Sequence, residues 1–321
     1  MSTILVLGAN GRLGHTVAQS FINQGWTVRA FVRPGRGERA PQGSMLIEGD
    51  AKDTDALIAA ADGVDVIFNG LNPPYTAWRS ECMPMAKAVI AAAKASGATH
   101  LFPGNVYNYG AGAGPLLTPD TPQNPTTVKG GIRKDMEQLF AAAAGDGVQT
   151  IILRAGDFYG TTGTGSWFDL LVTKSMKKNV LTYPAQAGIP HAWAYLPDLA
   201  DTFVGLAERR DQLEIFAQFT FAGHTITREE MVSAAERAVG RPVKVRGAPW
   251  AIIGLLAPFI PSWREINEMR YLWNENHSLD DTDLQSAIGN VPHTPVGDAI
   301  AQALRDQGIA TVDGQPDRLA A

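Results

Sequence analysis

Residues 4–14 have the sequence ILVLGANGRLG, in which an aliphatic run meets three regularly spaced glycines. The run predicts a buried strand, and the residues after it have the spacing of an amphipathic helix. Gly8 permits a tight turn, Gly11 lets a pyrophosphate approach the backbone, and Gly14 lets the helix pack closely on the strand. The amino terminus of the helix then faces the anion. We predict that this turn binds a dinucleotide through Gly8, Asn10, Gly11, Arg12, Leu13 and Gly14.

Short apolar runs alternate with helical patterns through the first half of the chain. The runs are rich in Val, Ile, Leu and Phe, as strands buried on both faces are. Alternation of strand and helix predicts an α/β fold with a doubly wound parallel sheet of the Rossmann type. The predicted strands are residues 3–8, 26–32, 44–50, 64–70, 100–105 and 149–156. The predicted helices are residues 13–24, 54–61, 84–96, 131–144, 228–239 and 263–273.

The composition of the sequence changes after Gly156, where Gly, Thr and Pro cluster in segments typical of loops. This change predicts a smaller α+β lobe that binds the substrate. We expect residues 1–160 to form the dinucleotide-binding core and residues 193–222 to return to it. The smaller lobe then comprises residues 161–192 and 223–321.

Composition excludes several classes of function. The 321-residue chain is 45% hydrophobic with a net charge of −5 and has no basic run, so nucleic acid is not an expected partner. A single cysteine, Cys82, and scattered histidines exclude an internal disulfide and predict no metal site. The amino terminus lacks the features of a signal peptide. The apolar run at 248–261 is too short to span a membrane and predicts a buried helix or pocket wall, with a contact to a membrane surface as the alternative. A cytoplasmic location is therefore expected.

Two predicted helices, 84–96 and 131–144, are rich in alanine. Small residues allow helices to pack closely on the sheet. The same residues suit a self-complementary face between two copies of the chain. A homodimer through these helices is the alternative that the sequence leaves open.

The end of the second predicted strand indicates which dinucleotide is bound. Roughly 20 residues after the glycine turn, NAD-binding proteins place an acidic residue that holds the ribose hydroxyls. This chain has Arg33 there, with Arg36 and Arg39 following and no acid before Glu38. An arginine suits a 2′-phosphate, so we predict NADP(H), with NAD(H) as the alternative. Arg12 would add a second positive charge.

Five further segments extend the pattern in a fixed order along the chain. They are EGDAKD (48–53), NVYNYG (105–110), LRAGDFYG (153–160), AWAYLPDLADTF (192–203) and the tail at 277–304. With the glycine turn they resemble the extended and atypical short-chain dehydrogenase/reductases, most closely the NAD-dependent epimerase/dehydratase proteins, with kinship to the NmrA-like group. The resemblance implies an oxidoreductase with a nicotinamide dinucleotide and a small-molecule substrate. It places Asp50 against the adenine, and we add Asn69 and Leu71 to the cofactor contacts.

The chain departs from that family at the active site. The family uses a Ser or Thr after the fifth strand and a Tyr and a Lys four residues apart on the next helix. Here residues 103–105 are Pro, Gly and Asn, and the next helix contains no tyrosine. Alignment on Glu137 places Lys129 at the tyrosine and Arg133 at the lysine. A second register, with Gly130 and Lys134 at those positions, stays open.

Helical geometry favours the first register. The apolar residues 132, 136, 139 and 140 form an arc centred near Lys129, with Arg133 at its border, whereas Lys134 points to solvent. Buried charges need partners, and an anionic cofactor would supply one. We predict that Lys129 donates the proton to the substrate and that Arg133 holds the nicotinamide ribose.

The remaining candidate residues surround the substrate. Asn105 and Asp157 are predicted to orient it, and the predicted pocket wall comprises Tyr107, Tyr159, Trp167, His191 and Trp193. Apolar and aromatic residues indicate a hydrophobic carbonyl or alcohol, or an activated alkene. The alternative function, suggested by the missing tyrosine, is an NADP(H)-binding sensor without turnover, of the NmrA-like kind.

Overall fold

The computed structural model describes residues 2–310. The main sheet has seven parallel strands in the order β3, β2, β1, β4, β5, β7, β11. Helices cover both of its faces, which confirms the predicted doubly wound fold. The strands are β1 (Thr3–Leu7), β2 (Thr27–Val32), β3 (Met45–Glu48), β4 (Val66–Asn69), β5 (Thr99–Gly104), β6 (Leu116–Leu117), β7 (Thr150–Arg154), β8 (Asp157–Tyr159), β9 (Val180–Tyr183), β10 (His191–Tyr195), β11 (Phe216–Thr220), β12 (His224–Ile226), β13 (Lys244–Gly247) and β14 (Ser278–Leu279).

The helices follow the strands in the alternation that the sequence predicts. They are α1 (Arg12–Asn23), α2 (Thr54–Ala61), α3 (Trp78–Ser96), α4 (Val128–Ala143), α5 (Leu196–Arg209), α6 (Arg228–Val239), α7 (Trp250–Leu256), α8 (Pro261–Glu268), α9 (Thr282–Ile288) and α10 (Val296–Asp306). The start of α6 is fixed by a capping box, in which Thr227 and Glu230 satisfy each other's backbone N–H groups. The predicted helix 263–273 is shorter, because α8 ends at Glu268 and a tighter 3-10 turn follows.

Burial of the central strands has the expected physical origin. Strands β1, β4 and β7 are buried almost throughout, because helices lie on both sides of them. The prediction of two buried faces is wrong for β3. This strand lies at the edge of the sheet, where Met45 and Leu46 are 58% and 48% exposed.

A second hydrophobic cluster lies outside the main sheet. It packs β8, β9, β10, α6 and α10 together around aromatic residues such as Phe168 and Trp193. Three small sheets belong to this region and its surroundings, in the orders β12-β10-β8, β13-β9 and β14-β6. Within residues 193–222, α5 packs on α1 and β11 forms the edge of the main sheet. Residues 311–321 of the predicted smaller lobe lie outside the described residues.

The alanine-rich helices pack inside the molecule. Helix α3 lies against both α2 and α4, and its residues Ala86, Ala88, Ala92 and Ala93 are buried. Close packing within one chain therefore uses these small side chains. The homodimer stays a prediction.

The apolar segment at 248–261 differs from its prediction. Trp250 is buried, but Ile252, Leu255 and Phe259 are 54%, 73% and 80% exposed. One face of α7 and the turn after it therefore lies on the surface instead of in a core. Among the described residues, no helix is long and apolar enough to cross a membrane.

Helix α4 approaches the backbone after β5 through a single glycine. A Cβ atom at Gly130 would lie 2.3 Å from the carbonyl oxygen of Tyr107 and 2.8 Å from Cβ of Pro125, whereas one at Gly131 would meet nothing within 4 Å. The two neighbouring glycines therefore differ in space: there is no room for a side chain at Gly130, whereas Gly131 has room for one. Gly130 sets how closely α4 lies to the loop after β5.

We expect Gly130→Ala to lower the free energy of unfolding by about 1–3 kcal/mol, because the new methyl group forces the helix away from a rigid backbone atom. Gly131→Ala should raise it by about 0.5–1 kcal/mol, because alanine favours the helix and meets no neighbour. Urea unfolding of both variants measures the two effects. Equal stabilities would show that α4 does not depend on this contact.

Candidate functional site

The glycine turn after β1 is built from direct backbone contacts. A Cβ atom at Gly14 would lie 2.3 Å from the Gly8 carbonyl oxygen, and one at Gly8 would lie 2.7 Å from the Gly70 carbonyl oxygen. Gly8 has a φ of +75°, in the region that favours glycine. The Gly11 N–H donates to the Gly8 carbonyl at 2.9 Å, and α1 begins at the next residue. This cradle has the open backbone that a pyrophosphate requires.

The loop after β2 is held at two points while its arginines are exposed. Asn10 in the glycine turn donates to the Arg36 carbonyl at 2.7 Å, and Glu48 accepts from the Gly35 N–H at 3.0 Å. The side chains of Arg33, Arg36 and Arg39 are exposed, and among residues 2–310 they make no hydrogen bond or ion pair. Arg33 follows the last residue of β2 directly. An unpaired guanidinium therefore lies where the fold places the adenosine ribose.

Arg12 has a different environment from the predicted one. Its guanidinium forms an ion pair with Asp169 and donates to the Ser166 hydroxyl at 3.0 Å and to the Gly160 carbonyl. The expected second charge for the cofactor is therefore neutralised within the chain. Arg12 instead ties the loop after β8 to the glycine turn.

Helix α4 presents the predicted face to the interior. Lys129, Arg133 and Glu137 are all buried, whereas Asp135 is exposed. The ammonium group of Lys134 donates to the Gln123 carbonyl at 2.8 Å, away from the buried face. The orientation of α4 thus agrees with the helical geometry of the first register.

Lys129 does not need an anionic ligand. Its ammonium group forms ion pairs with Glu265 and with Glu268 of α8, the latter at 2.5 Å, and it lies 5.0 Å from the ring centre of Tyr75. The expectation that a cofactor balances this charge is wrong, since two carboxylates of the same chain already do. These two ion pairs hold α8 against the start of α4.

Arg133 is buried and has no ion-pair partner among residues 2–310. Its guanidinium lies 4.9 Å from the Trp78 ring and 5.0 Å from the Phe102 ring, and it is 8% exposed. Nε and Nη1 are buried without a hydrogen-bond partner among residues 2–310. The nearby Glu137 forms a two-point pair with Arg154 at 3.0 and 2.7 Å. Burial lowers the pKa of Arg133, as it does for a cation without a counter-ion.

A small cleft, with room for about one water molecule, lies beside Arg133. It lies between the carboxyl end of β4 and the helices α3 and α4. Its lining residues are Asn69, Leu71, Asn72, Pro73, Cys82, Met85, Ala86, Arg133 and Met136. Two predicted cofactor contacts, Asn69 and Leu71, therefore share this cleft with Arg133. Leu71 also follows Gly70, which contacts the glycine turn.

Two tyrosines meet at the carboxyl ends of β4 and β5. The hydroxyl oxygens of Tyr75 and Tyr107 are 2.9 Å apart. Tyr107 was predicted as a pocket wall, but Tyr75 was not selected from the sequence. The feature of the sequence that could have identified Tyr75 is its position six residues after β4, which places it at the same edge of the sheet as the glycine turn.

Asp157 is bonded to His191 in a buried pair. The carboxylate oxygen Oδ2 and Nε2 of His191 are 2.7 Å apart, which also satisfies the geometry of an ion pair. Burial raises the pKa of Asp157 to about 7 and lowers the pKa of His191 to about 3. Both directions favour the uncharged forms, so one shared proton joins the pair in preference to two opposite charges.

The other predicted residues occupy three kinds of position. Tyr159 and Trp193 are fully buried in the second hydrophobic cluster, so their predicted role as pocket wall is replaced by core packing. Trp167 is half-buried against Trp250 and Trp273. Asn105 accepts from the Tyr107 N–H at 3.1 Å and thereby shapes the loop after β5.

Asp50, the predicted adenine contact, is exposed after β3 and accepts from the Lys52 N–H at 3.0 Å. Leu13 is half-buried in the first turn of α1, where it packs against the main core. Both residues lie near the carboxyl edge of the sheet. Among residues 2–310, no group of three or more His, Cys, Asp or Glu side chains could hold a metal ion.

Comparison with known proteins supports this architecture. Residues 1–115 match the model of the NmrA-like family. The chain is 36% identical over 69 residues to the photosystem II assembly factor Ycf39 of Cyanophora paradoxa and 32% identical over 99 residues to the 2-alkyl-3-oxoalkanoate reductase of Stenotrophomonas maltophilia. These matches span 21% and 29% of this chain, and only 22% and 30% of the relatives' own length.

Solved structures extend the similarity to nearly the whole chain. The UDP-glucose 4-epimerase of Bifidobacterium longum, in complex with NAD⁺ and UDP, superposes with a TM-score of 0.75 at 16% identity. The match covers 96% of this chain and 98% of the epimerase. The resemblance to the epimerase/dehydratase proteins, with NmrA-like kinship, is thereby confirmed for the fold and the amino-terminal part.

We expect Lys129→Met to lower the free energy of unfolding by about 2–4 kcal/mol, because Glu265 and Glu268 then face each other without a cation. The carboxylates are 16% and 20% exposed, so water relieves part of the cost. Lys134→Met, on the same helix, loses one hydrogen bond and should cost about 1 kcal/mol. Urea unfolding compares them. Equal losses would contradict the fastening role, and full turnover by Lys129→Met would exclude Lys129 as proton donor.

We expect Asp157→Asn to change how stability depends on pH. Because folding raises the pKa of Asp157 from 3.8 to about 7, its contribution is full below pH 4 and is lost as the pH rises towards 7. Relative to the variant, the wild type should therefore lose up to about 4 kcal/mol across that window.

Urea unfolding at several pH values between about 4 and 8 measures this difference. Because His191 is hydrogen-bonded to Asp157, the comparison reports the pH dependence of the pair. Asp135→Asn, an exposed change on α4, is the control. A wild-type-to-variant difference that stays constant with pH would contradict the buried, protonated state of Asp157.

Proposed function

We propose that the protein is an NADP(H)-dependent oxidoreductase acting on a small, hydrophobic organic carbonyl or alcohol, or on an activated alkene. One observation supports this above the others: an open backbone cradle follows β1, and Arg33 at the end of β2 is exposed and has no ion-pair partner among residues 2–310. The cradle suits a pyrophosphate and the arginine suits a 2′-phosphate. The relatives named as a reductase and as an epimerase agree with this class of chemistry.

The residues at the edge of the sheet fit the parts of such a cofactor in order. The turn from Gly8 to Gly14 would receive the pyrophosphate at the amino terminus of α1. Arg33 would hold the 2′-phosphate, and Asn10 fixes the loop that positions it. Arg133, with its unpaired guanidinium nitrogens, would donate to the nicotinamide ribose. When bound, a nicotinamide dinucleotide supplies or accepts the hydride.

The surroundings of the cleft support an apolar substrate. Cys82, Met85, Ala86 and Met136 line it, and Trp78 and Phe102 flank Arg133. Such walls exclude water, which strengthens the electrostatic effect of the one cation among them. Asp157 would orient the substrate as a hydrogen-bond partner.

The function of a sensor without turnover is the alternative to be separated by experiment. The NmrA-like match covers residues 1–115, which hold the cofactor cradle and Arg33. A panel of apolar aldehydes, ketones and activated alkenes, followed by NADPH absorbance, distinguishes the two. Turnover at about 1 per second or faster supports the enzyme. Tight binding of NADPH that is never consumed, with a protein contact that depends on it, supports the sensor.

We expect the purified protein to bind NADPH at least about tenfold more tightly than NADH, a difference of about 1.4 kcal/mol. Arg33→Ala should weaken NADPH binding by about 5- to 30-fold and leave NADH binding unchanged, because only NADPH carries the 2′-phosphate. Fluorescence titration of the cofactor-stripped protein measures both.

The exposed Arg209 provides the control for loss of charge. It ends α5, which leads into the amino end of β11 and therefore lies at the opposite edge of the sheet. Arg209→Ala should bind both dinucleotides as the wild type does. Equal wild-type affinities would overturn the NADP(H) preference, and failure to bind either dinucleotide would overturn the proposed function.

A further inference from the structure

We propose that Tyr75 donates the proton to the substrate oxygen during reduction, and that Tyr107 positions Tyr75 and stabilises it after the proton leaves. This inference rests on the proposed function, because it assigns the proton donor of a site whose α4 contains no tyrosine. Neither residue occupies the helix position at which the related enzymes carry their tyrosine. The loops after β4 and β5 would therefore supply the phenol hydroxyl that the related enzymes carry on the helix.

The topology of the sheet brings the two tyrosines together. Strands β4 and β5 are neighbouring parallel strands, so the loops after them meet at one edge. Tyr75 lies in the 3-10 turn after β4, and Tyr107 lies three residues after β5. Trp78 packs edge-on against Tyr75 at 5.1 Å between ring centres and lies tilted 6.3 Å from Tyr107. The pair is thus held beside the cleft that contains Arg133.

The tyrosine pair has one hydroxyl hydrogen that is not used in the bond between Tyr75 and Tyr107. Two hydroxyl groups carry two hydrogens, and the bond between Tyr75 and Tyr107 uses only one. Among residues 2–310 neither hydroxyl has another hydrogen-bond partner. Tyr107 is buried, whereas Tyr75 is only partly buried in the turn after β4. A ligand can therefore reach the Tyr75 hydroxyl more readily, which leaves Tyr107 as the donor of the shared hydrogen to the Tyr75 oxygen.

The charges around the pair suit donation better than abstraction of a proton. Burial is the largest effect and raises the pKa of Tyr75 to about 12, so the phenol stays protonated at neutral pH. The unpaired Arg133 acts in the opposite direction and favours the phenolate that donation leaves behind. Asp157 and Glu268, the second of which pairs with Lys129, act in the same direction as burial and raise the pKa of Tyr75.

A bound reduced nicotinamide dinucleotide would supply the hydride for the new C–H bond and would itself be oxidised. The carbonyl π pair becomes a lone pair on the substrate oxygen, the Tyr75 O–H bond breaks, and its proton forms the O–H bond of the alcohol. The electron pair of the broken bond stays on the Tyr75 oxygen, which accepts the hydrogen bond from Tyr107. A proton from solvent restores Tyr75.

The first test compares three phenylalanine variants in the NADPH-dependent reduction of benzaldehyde. Tyr75→Phe should lower kcat by about 10²- to 10⁴-fold, the usual effect of losing a general acid, with NADPH affinity unchanged. Tyr107→Phe should lower kcat by about tenfold, because the donor remains but its phenolate loses a hydrogen bond. Tyr109→Phe removes a buried hydroxyl that donates to the Thr118 carbonyl, and should affect stability but not kcat.

A second test needs no turnover. In the cofactor-free protein, ¹³C NMR of ring-labelled tyrosine follows the ionisation of Tyr75, with its signal assigned from the Tyr75→Phe variant. Tyr107→Phe should raise the pKa of Tyr75, because the donor to its oxygen is lost. A pKa of Tyr75 that is unchanged or lower in Tyr107→Phe would overturn the inferred direction of the bond.

The two tests separate failure of this inference from failure of the proposed function. A wild type that binds NADPH and reduces benzaldehyde, with Tyr75→Phe equally active, overturns only the assignment of Tyr75. A wild type that binds no NADPH overturns the proposed function. The NMR titration still decides how the tyrosine pair is arranged in that case, and an ordered pair with Tyr107 as donor supports the geometry on which the inference rests.

Discussion

The site depends on the contact of three backbones at the end of β1. Gly14 lies against the Gly8 carbonyl, and Gly8 lies against Gly70, so no side chain separates α1, β1 and the end of β4. This contact fixes the carboxyl edge of the sheet, from which the loops bearing Arg33, Tyr75 and Tyr107 emerge. Because a close backbone contact cannot relax around a methyl group, the spacing of these glycines determines where every other group of the site lies.

Charge pairing decides which basic residues remain available for a ligand. Arg12 and Lys129 have carboxylate partners within the chain, and Glu137 is occupied by Arg154. Arg133 is left with aromatic rings and no anion among the described residues. A buried cation without a counter-ion costs free energy, and a ligand that donates electron density to it would recover part of that cost. The two cations that we assign to the cofactor, Arg33 and Arg133, both lack an ion-pair partner among residues 2–310.

The sequence predicts the fold and the face of α4 because both follow from local periodicity. Strand and helix positions, the glycine turn and the burial of Arg133 depend on spacing along the chain. The partners of Lys129 do not, because Glu265 and Glu268 lie more than 130 residues away on α8. Apolar composition also misled the assignment of the pocket wall, since Tyr159 and Trp193 pack as a core. Long-range pairing and the difference between wall and core are tertiary properties.

Tyr75 also could not be assigned from local sequence spacing, although we propose it as the proton donor. A motif search looks for a tyrosine at a fixed helix position, whereas a proton donor needs only to reach the substrate oxygen with a free hydrogen. Neighbouring parallel strands bring their loops to one edge whatever the sequence distance between them, here 32 residues. The Tyr75–Tyr107 pair meets the chemical requirement through that topology. The absence of a tyrosine from α4 therefore argues against the familiar arrangement of the active site, and it carries no argument against a reductase.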